Sequence, residues 1–68
     1  MASVARVTEI SSRSDQSFEE AVRVGLERAS KTLRGVKSAW IKEQRVDVEN
    51  GRIVGYQVNL LVTFVLDD

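Results

Sequence analysis

The chain has 68 residues, ten basic against ten acidic, no cysteine and no histidine. A disulfide scaffold is excluded, a zinc site lacks its usual ligands, and balanced charge gives no general attraction to nucleic acid or an anionic membrane. A single domain over residues 1–68 buries only about 60% of the surface its unfolded chain exposes, so self-association is expected to supplement the core.

The first element expected is a strand from Ser3 to Ile10, rich in β-branched residues (Val4, Val7, Thr8, Ile10). The polar run Ser11 to Ser17 follows and reads as a loop, because its side chains compete for backbone hydrogen bonds. Ser17 then opens a helix. Its hydroxyl can cap the first turn, Glu20 three residues on can reach back in a capping box, and Glu19 favours the positive helix end. Phe18, Ala21, Val22, Gly25, Leu26, Ala29 and Leu33 recur at intervals of three and four, forming one apolar stripe. Gly25 weakens the helix by about 1 kcal/mol relative to alanine, and its place in the stripe implies close approach to a neighbouring backbone. Gly35 is expected to stop the helix.

Two extended runs, Val36 to Glu49 and Arg52 to Leu66, flank Asn50-Gly51, whose residue types suit the positive φ angles of a type I′ hairpin turn. The second run spans about 50 Å at about 3.3 Å per residue. A compact chain of this size has a radius of gyration of about 11 Å, so the strand must curl around the helix or reach past its own subunit. Pairing Glu49 with Arg52 places Gln44 opposite Gln57, Lys42 opposite Asn59, Ile41 opposite Leu60 and Trp40 opposite Leu61. This register sorts side chains between faces. Ala39, Ile41, Val54, Tyr56, Val58, Leu60, Val62, Phe64 and Leu66 face the helix. Ser38, Trp40, Lys42, Gln44, Val46, Val48, Ile53, Gln57, Asn59, Leu61, Thr63 and Val65 share the other face unless a bulge alters the sorting. With one helix covering one side of the sheet, that second face needs partner subunits or a ligand.

The order of strand, Ser17-Phe18-Glu19-Glu20-Ala21-Val22, Arg28-Ala29-Ser30-Lys31-Thr32-Leu33-Arg34, a long hairpin and the ending Tyr56-Gln57-Val58-Asn59-Leu60-Leu61-Val62-Thr63-Phe64-Val65-Leu66 resembles the dodecin family over nearly the whole chain. The resemblance implies an α+β fold, a β-α-β-β protomer with a three-stranded antiparallel sheet curled around one helix, and a hollow homododecamer. It also implies paired flavins, riboflavin or FMN, each ring stacked on a tryptophan and hydrogen-bonded by a glutamine. Some bacterial members bind coenzyme A as well. Gln57 matches the ring-binding glutamine, and Arg45 falls where many bacterial members carry an arginine near the ligand. The stacking tryptophan of the family corresponds to Ser38, two positions before Trp40. That offset keeps the same sheet face and displaces the side chain by about 6.6 Å along the strand. Members without the aromatic exist, including one that binds calcium.

Each candidate has a plainer alternative. Trp40 serves as a platform for a planar ligand or as an anchor in a subunit interface. Gln57 offers a donor and an acceptor to a ring edge, or pairs with Gln44 across the hairpin. Arg45 meets a ligand phosphate or stays solvated. Asp15, Glu19, Glu20, Asp67 and Asp68 lack the spacing of a dedicated calcium loop and are expected to be solvated. Catalysis would fall to carboxylates, lysines or Tyr56, none of them in a motif that orients a base. With what the resemblance implies, the expectation is a non-enzymatic, cytoplasmic storage or sequestration protein that binds flavin through Trp40, Gln57 and Arg45, the alternative being a shell without flavin that serves as a structural, metal-binding or coenzyme A-binding scaffold. No apolar run approaches the roughly 20 residues of a membrane span.

Overall fold

A computed structural model describes residues 2–66. Strand β1 (Ala5–Ser14) leads into helix α1 (Phe18–Thr32), and β2 (Val36–Glu49) and β3 (Arg52–Val65) form the hairpin. The sheet is antiparallel with β3 in the centre, in the order β1-β3-β2.

Strand β1 runs four residues beyond its expected end. The polar stretch Ser11 to Ser14 continues the ladder against Asn59, Val58, Gln57 and Tyr56 instead of looping away. A strand paired along one edge needs no apolar alternation when the side chains on its outer face find polar partners across the ladder. The connection to α1 shrinks to residues 15–17.

Half of the capping box forms. The Glu20 amide donates to Ser17 Oγ at 3.0 Å, but the Glu20 carboxylate accepts from Ser14 Oγ at 2.7 Å instead of reaching back to the cap. Ser14 Oγ itself accepts from the amides of Gln16 at 2.9 Å and Ser17 at 3.4 Å. The buried Ser14 hydroxyl thus takes over the task expected of Glu20. At the other end Leu33 is already extended, with φ −110° and ψ 131°, so the helix stops before Gly35. Gly35 has φ +72° and turns the chain into β2, where its carbonyl accepts from the Val65 amide at 3.1 Å.

Asn50 and Gly51 have φ of 51° and 75°, both positive as a two-residue type I′ turn requires, with Glu49 opposite Arg52. The core is small: Ala21 and Ala29 from the helix against Val58, Leu60 and Val62 of β3. A 15-residue helix is about 22 Å long, whereas a 14-residue strand spans about 46 Å. Half of the hairpin therefore projects past the helix, and the chain measures 52 × 19 × 13 Å with a radius of gyration of 14.1 Å. Val46, Val48 and Ile53 on that projecting part are 39%, 56% and 52% exposed.

The hairpin register departs from the expected one. Ladder shifts leave Lys37 and Lys42 of β2 and Val54 of β3 without a direct partner. The Val54 and Lys42 bulges cancel, so Ile41 still meets Leu60 and Trp40 still meets Leu61. Between them every pairing moves by one residue: Arg45, not Gln44, lies opposite Gln57, and Glu43, not Lys42, lies opposite Asn59. A shift of one exchanges the faces. Gln44 and Val46 pass to the helix side of the sheet opposite Val58 and Tyr56, and Glu43, Arg45 and Asp47 join the face of Trp40.

Candidate functional site

On the face of the sheet turned away from α1, four adjacent cross-strand rows hold the candidate residues. The first holds Glu9, Leu61 and Trp40; the second Ser11, Asn59 and Glu43; the third Arg13, Gln57 and Arg45; the fourth Gly55 and Asp47. Trp40 is 68% exposed, its indole lying open on this face. Lys42, the bulged residue beside it, reaches Glu9 on the far strand, Nζ to Oε1 at 3.2 Å.

The polar rows are wired together. Asn59 Nδ2 donates to Glu43 Oε1 at 3.0 Å, and Asn59 Oδ1 accepts from Ser11 Oγ at 2.9 Å. Ser11 Oγ accepts from Gln57 Nε2 at 2.8 Å, while Gln57 Oε1 accepts from Arg45 Nη2 at 3.0 Å. Asp47 holds Arg13 Nε at 3.0 Å through Oδ2 and Arg45 Nε at 3.5 Å through Oδ1. Gln57 keeps one N–H and one lone pair uncommitted among the described residues, because an amide has two of each. That is a donor beside an acceptor, fixed in direction by neighbours on both flanking strands. The expected amide pair of Gln57 with Gln44 does not form.

Glu43, Gln44, Arg45, Gln57 and Asn59 line a shallow cavity of about 160 Å³. Ligand pockets usually enclose about 300–1,000 Å³, more than this cavity holds. Gln57 and Leu61 are four residues apart on β3, which separates the amide from the Trp40 row by about 13 Å. A larger open groove, about 510 Å³, runs between β1 and α1 along Ile10, Ser12, Val24, Gly25, Arg28 and Ala29. It offers no aromatic surface.

Trp40, Gln57 and Arg45 thus share one face, Arg45 by virtue of a bulge at Lys42 that alternation alone does not reveal. Arg13, Glu43 and Asp47 belong to the same face and escaped the sequence reading. Arg13 lay in a stretch expected to loop, and the other two needed the shifted register. Tyr56 stacks edge-on against Phe18 on the helix side, centroids 5.1 Å apart at 76°. Asp15 and Glu19 are exposed, Glu20 is engaged by Ser14 and Arg23, and Asp67 and Asp68 lie outside the described residues. Among the described residues no three acidic, cysteine or histidine side chains cluster as metal ligands, and no helix is long and apolar enough to cross a membrane.

The family model described as Dodecin matches residues 4–67. The chain belongs to the dodecin family. Solved dodecins share its fold. A dodecin from Streptomyces davaonensis is 34% identical with all of both chains covered and a TM-score of 0.92. A tryptophan-to-phenylalanine mutant of Thermus thermophilus dodecin is 33% identical over 98% of this chain and 100% of that one, with a TM-score of 0.91. The calcium dodecin of Mycobacterium tuberculosis, described as having a novel calcium-binding site, is 30% identical over 96% and 93% of the two chains, with a TM-score of 0.80. No curated protein matches the chain. The β-α-β-β order and the open three-stranded sheet expected from the dodecin resemblance are those of the structure.

Proposed function

We propose that this dodecin is a cytoplasmic flavin-binding storage or sequestration protein, holding riboflavin- or FMN-type ligands between the subunits of a homododecamer and catalysing no reaction. The observation that carries the reading is an open indole, Trp40, on the same sheet face as a glutamine held rigid by Ser11 and Arg45. A tricyclic ring needs a face to stack on and, at its carbonyl and imide edge, a donor beside an acceptor. The spacing of about 13 Å between the two supports a ring shared by copies, stacked on Trp40 of one protomer and edge-bound by Gln57 of another.

Accessible area supports the assembly. A compact monomer of 7.6 kDa exposes about 4,300 Å². This chain exposes 5308 Å², roughly 1,000 Å² more than that relation gives. Such an excess, together with exposed Trp40, Val46, Val48 and Ile53, fits a protomer shaped to be covered by copies of itself.

Ser38, standing where the resemblance places the stacking tryptophan, favours a second reading. There the shell forms without flavin and serves as a structural, metal-binding or coenzyme A-binding scaffold. Titration of the purified protein with riboflavin and with FMN separates the two. In the flavin reading, Trp40 and flavin emission quench together at micromolar ligand, and Trp40→Ala spares assembly in size-exclusion chromatography while weakening binding by about 2- to 13-fold, from a stacking contribution of about 0.5–1.5 kcal/mol. Unchanged emission from both partners rejects flavin. Loss of assembly in Trp40→Ala makes the indole an interface anchor instead.

A further inference from the structure

We propose that Asn50 is a site of spontaneous deamidation, the backbone nitrogen of Gly51 displacing ammonia from the Asn50 side chain at the tip of the hairpin. This goes beyond the ligand reading of the sheet and does not depend on it.

The reaction needs a backbone nitrogen that can reach the side-chain carbonyl carbon of the residue before it. Glycine obstructs that approach least, because it has no Cβ and its dihedral angles are the freest. In a two-residue turn the flanking pair, here Glu49 and Arg52, closes the ladder and leaves the amides of the tip over. The Gly51 N–H accordingly has no backbone acceptor among the described residues. Asn50 and Gly51 are both exposed, and no atom lies within 4 Å of the place a Gly51 Cβ would take. The tip also stands past the end of α1, away from the core, so bending the turn into the attacking geometry disturbs the turn alone.

Asn59, the second of the two asparagines in the chain, is the internal contrast. It lies in the central strand with Ser11 on one side and Glu43 on the other. Its amide is held at both ends, Oδ1 by Ser11 Oγ at 2.9 Å and Nδ2 by Glu43 Oε1 at 3.0 Å, and the residue that follows is the fully buried Leu60. The same side chain thus occurs once where ring closure is open and once where it is blocked.

In the first step the Gly51 nitrogen bonds to Asn50 Cγ, the bond from Cγ to the side-chain nitrogen breaks, and ammonia leaves with the proton of the Gly51 amide. Water then opens the five-membered succinimide. Cleavage at Cγ gives aspartate, and cleavage at the backbone carbonyl gives isoaspartate. Either product adds one negative charge beside the opposed Glu49 and Arg52, and isoaspartate also lengthens a two-residue turn by one backbone carbon.

The test incubates the purified full chain at mildly alkaline pH. Intact mass, mapping of proteolytic peptides, and methyl transfer from S-adenosylmethionine by an isoaspartyl methyltransferase follow the change. The expected result is replacement of NH2 by OH at Asn50 as a mixture of aspartate and isoaspartate, with the methyl confined to the tip peptide and Asn59 intact. Asn50→Asp abolishes the mass gain. Gly51→Ala slows it by about tenfold, because a Cβ crowds the closing ring. Circular dichroism verifies that both variants are folded. A chain that keeps its mass and accepts no methyl overturns the site, above all if a free peptide of residues 46–55 converts under the same conditions, for then the hairpin protects Asn50. Conversion at Asn59 in place of Asn50, or an equal rate in Gly51→Ala, overturns it as well.

Discussion

Gly25→Ala sets helix propensity against packing at a point where α1 lies close against β1 and β3. Alanine stabilises an exposed helix interior by about 1 kcal/mol over glycine. Here the added Cβ would lie 3.0 Å from Ser12 Cβ, 3.3 Å from Leu60 Cδ1 and 3.3 Å from Ser12 Oγ. Leu60 is fully buried and Ser12 Cβ is fixed to the β1 backbone, so neither neighbour yields without moving the strand or the core. Overpacking of this kind costs about 1–3 kcal/mol, which exceeds the propensity gain and leaves a net loss of about 1 kcal/mol. For a domain of this size that lowers the melting temperature by about 4–8 °C. Circular dichroism melts must be compared at one protomer concentration, since the proposed assembly would make the midpoint concentration-dependent. A double-mutant cycle with Ser12→Gly isolates the cause, because removing the nearer neighbour should return part of the loss. An unchanged or raised melting temperature, or the same penalty in both backgrounds, would refute the reasoning.

Two further substitutions probe the chain's turning points. Ser17→Ala removes the acceptor for the Glu20 amide and should destabilise by about 1 kcal/mol in urea unfolding, with the m-value unchanged. Gly51→Ala meets no atom within 4 Å, so its cost is that of the left-handed backbone alone, about 1–2 kcal/mol; a neutral result would show that the turn relaxes to another type.

Much of the fold was legible because single residues carried strong local signals. Ser17 at the cap, Asn50-Gly51 at the turn, and Val58, Leu60 and Val62 as the buried face of β3 each follow from a property of one or two side chains. The limits of β1 and the register of the hairpin did not, because they depend on partners far along the chain. Ser11 to Ser14 have the composition of a loop and become strand only because Asn59 and Gln57 offer them hydrogen bonds. In the hairpin, strict alternation placed Gln44 beside Gln57, and two offsetting bulges put Arg45 there. The family resemblance pointed to Arg45 near the ligand, and the bulge at Lys42 is what carries Arg45 to the Trp40 face.

The two residues that β2 leaves outside its ladder are both lysines, Lys37 and Lys42, and β2 is an edge of the sheet. Charged kinks along a border block another strand from zipping onto it. Growth by strand addition, the route to fibres, is thereby discouraged on that side of the sheet.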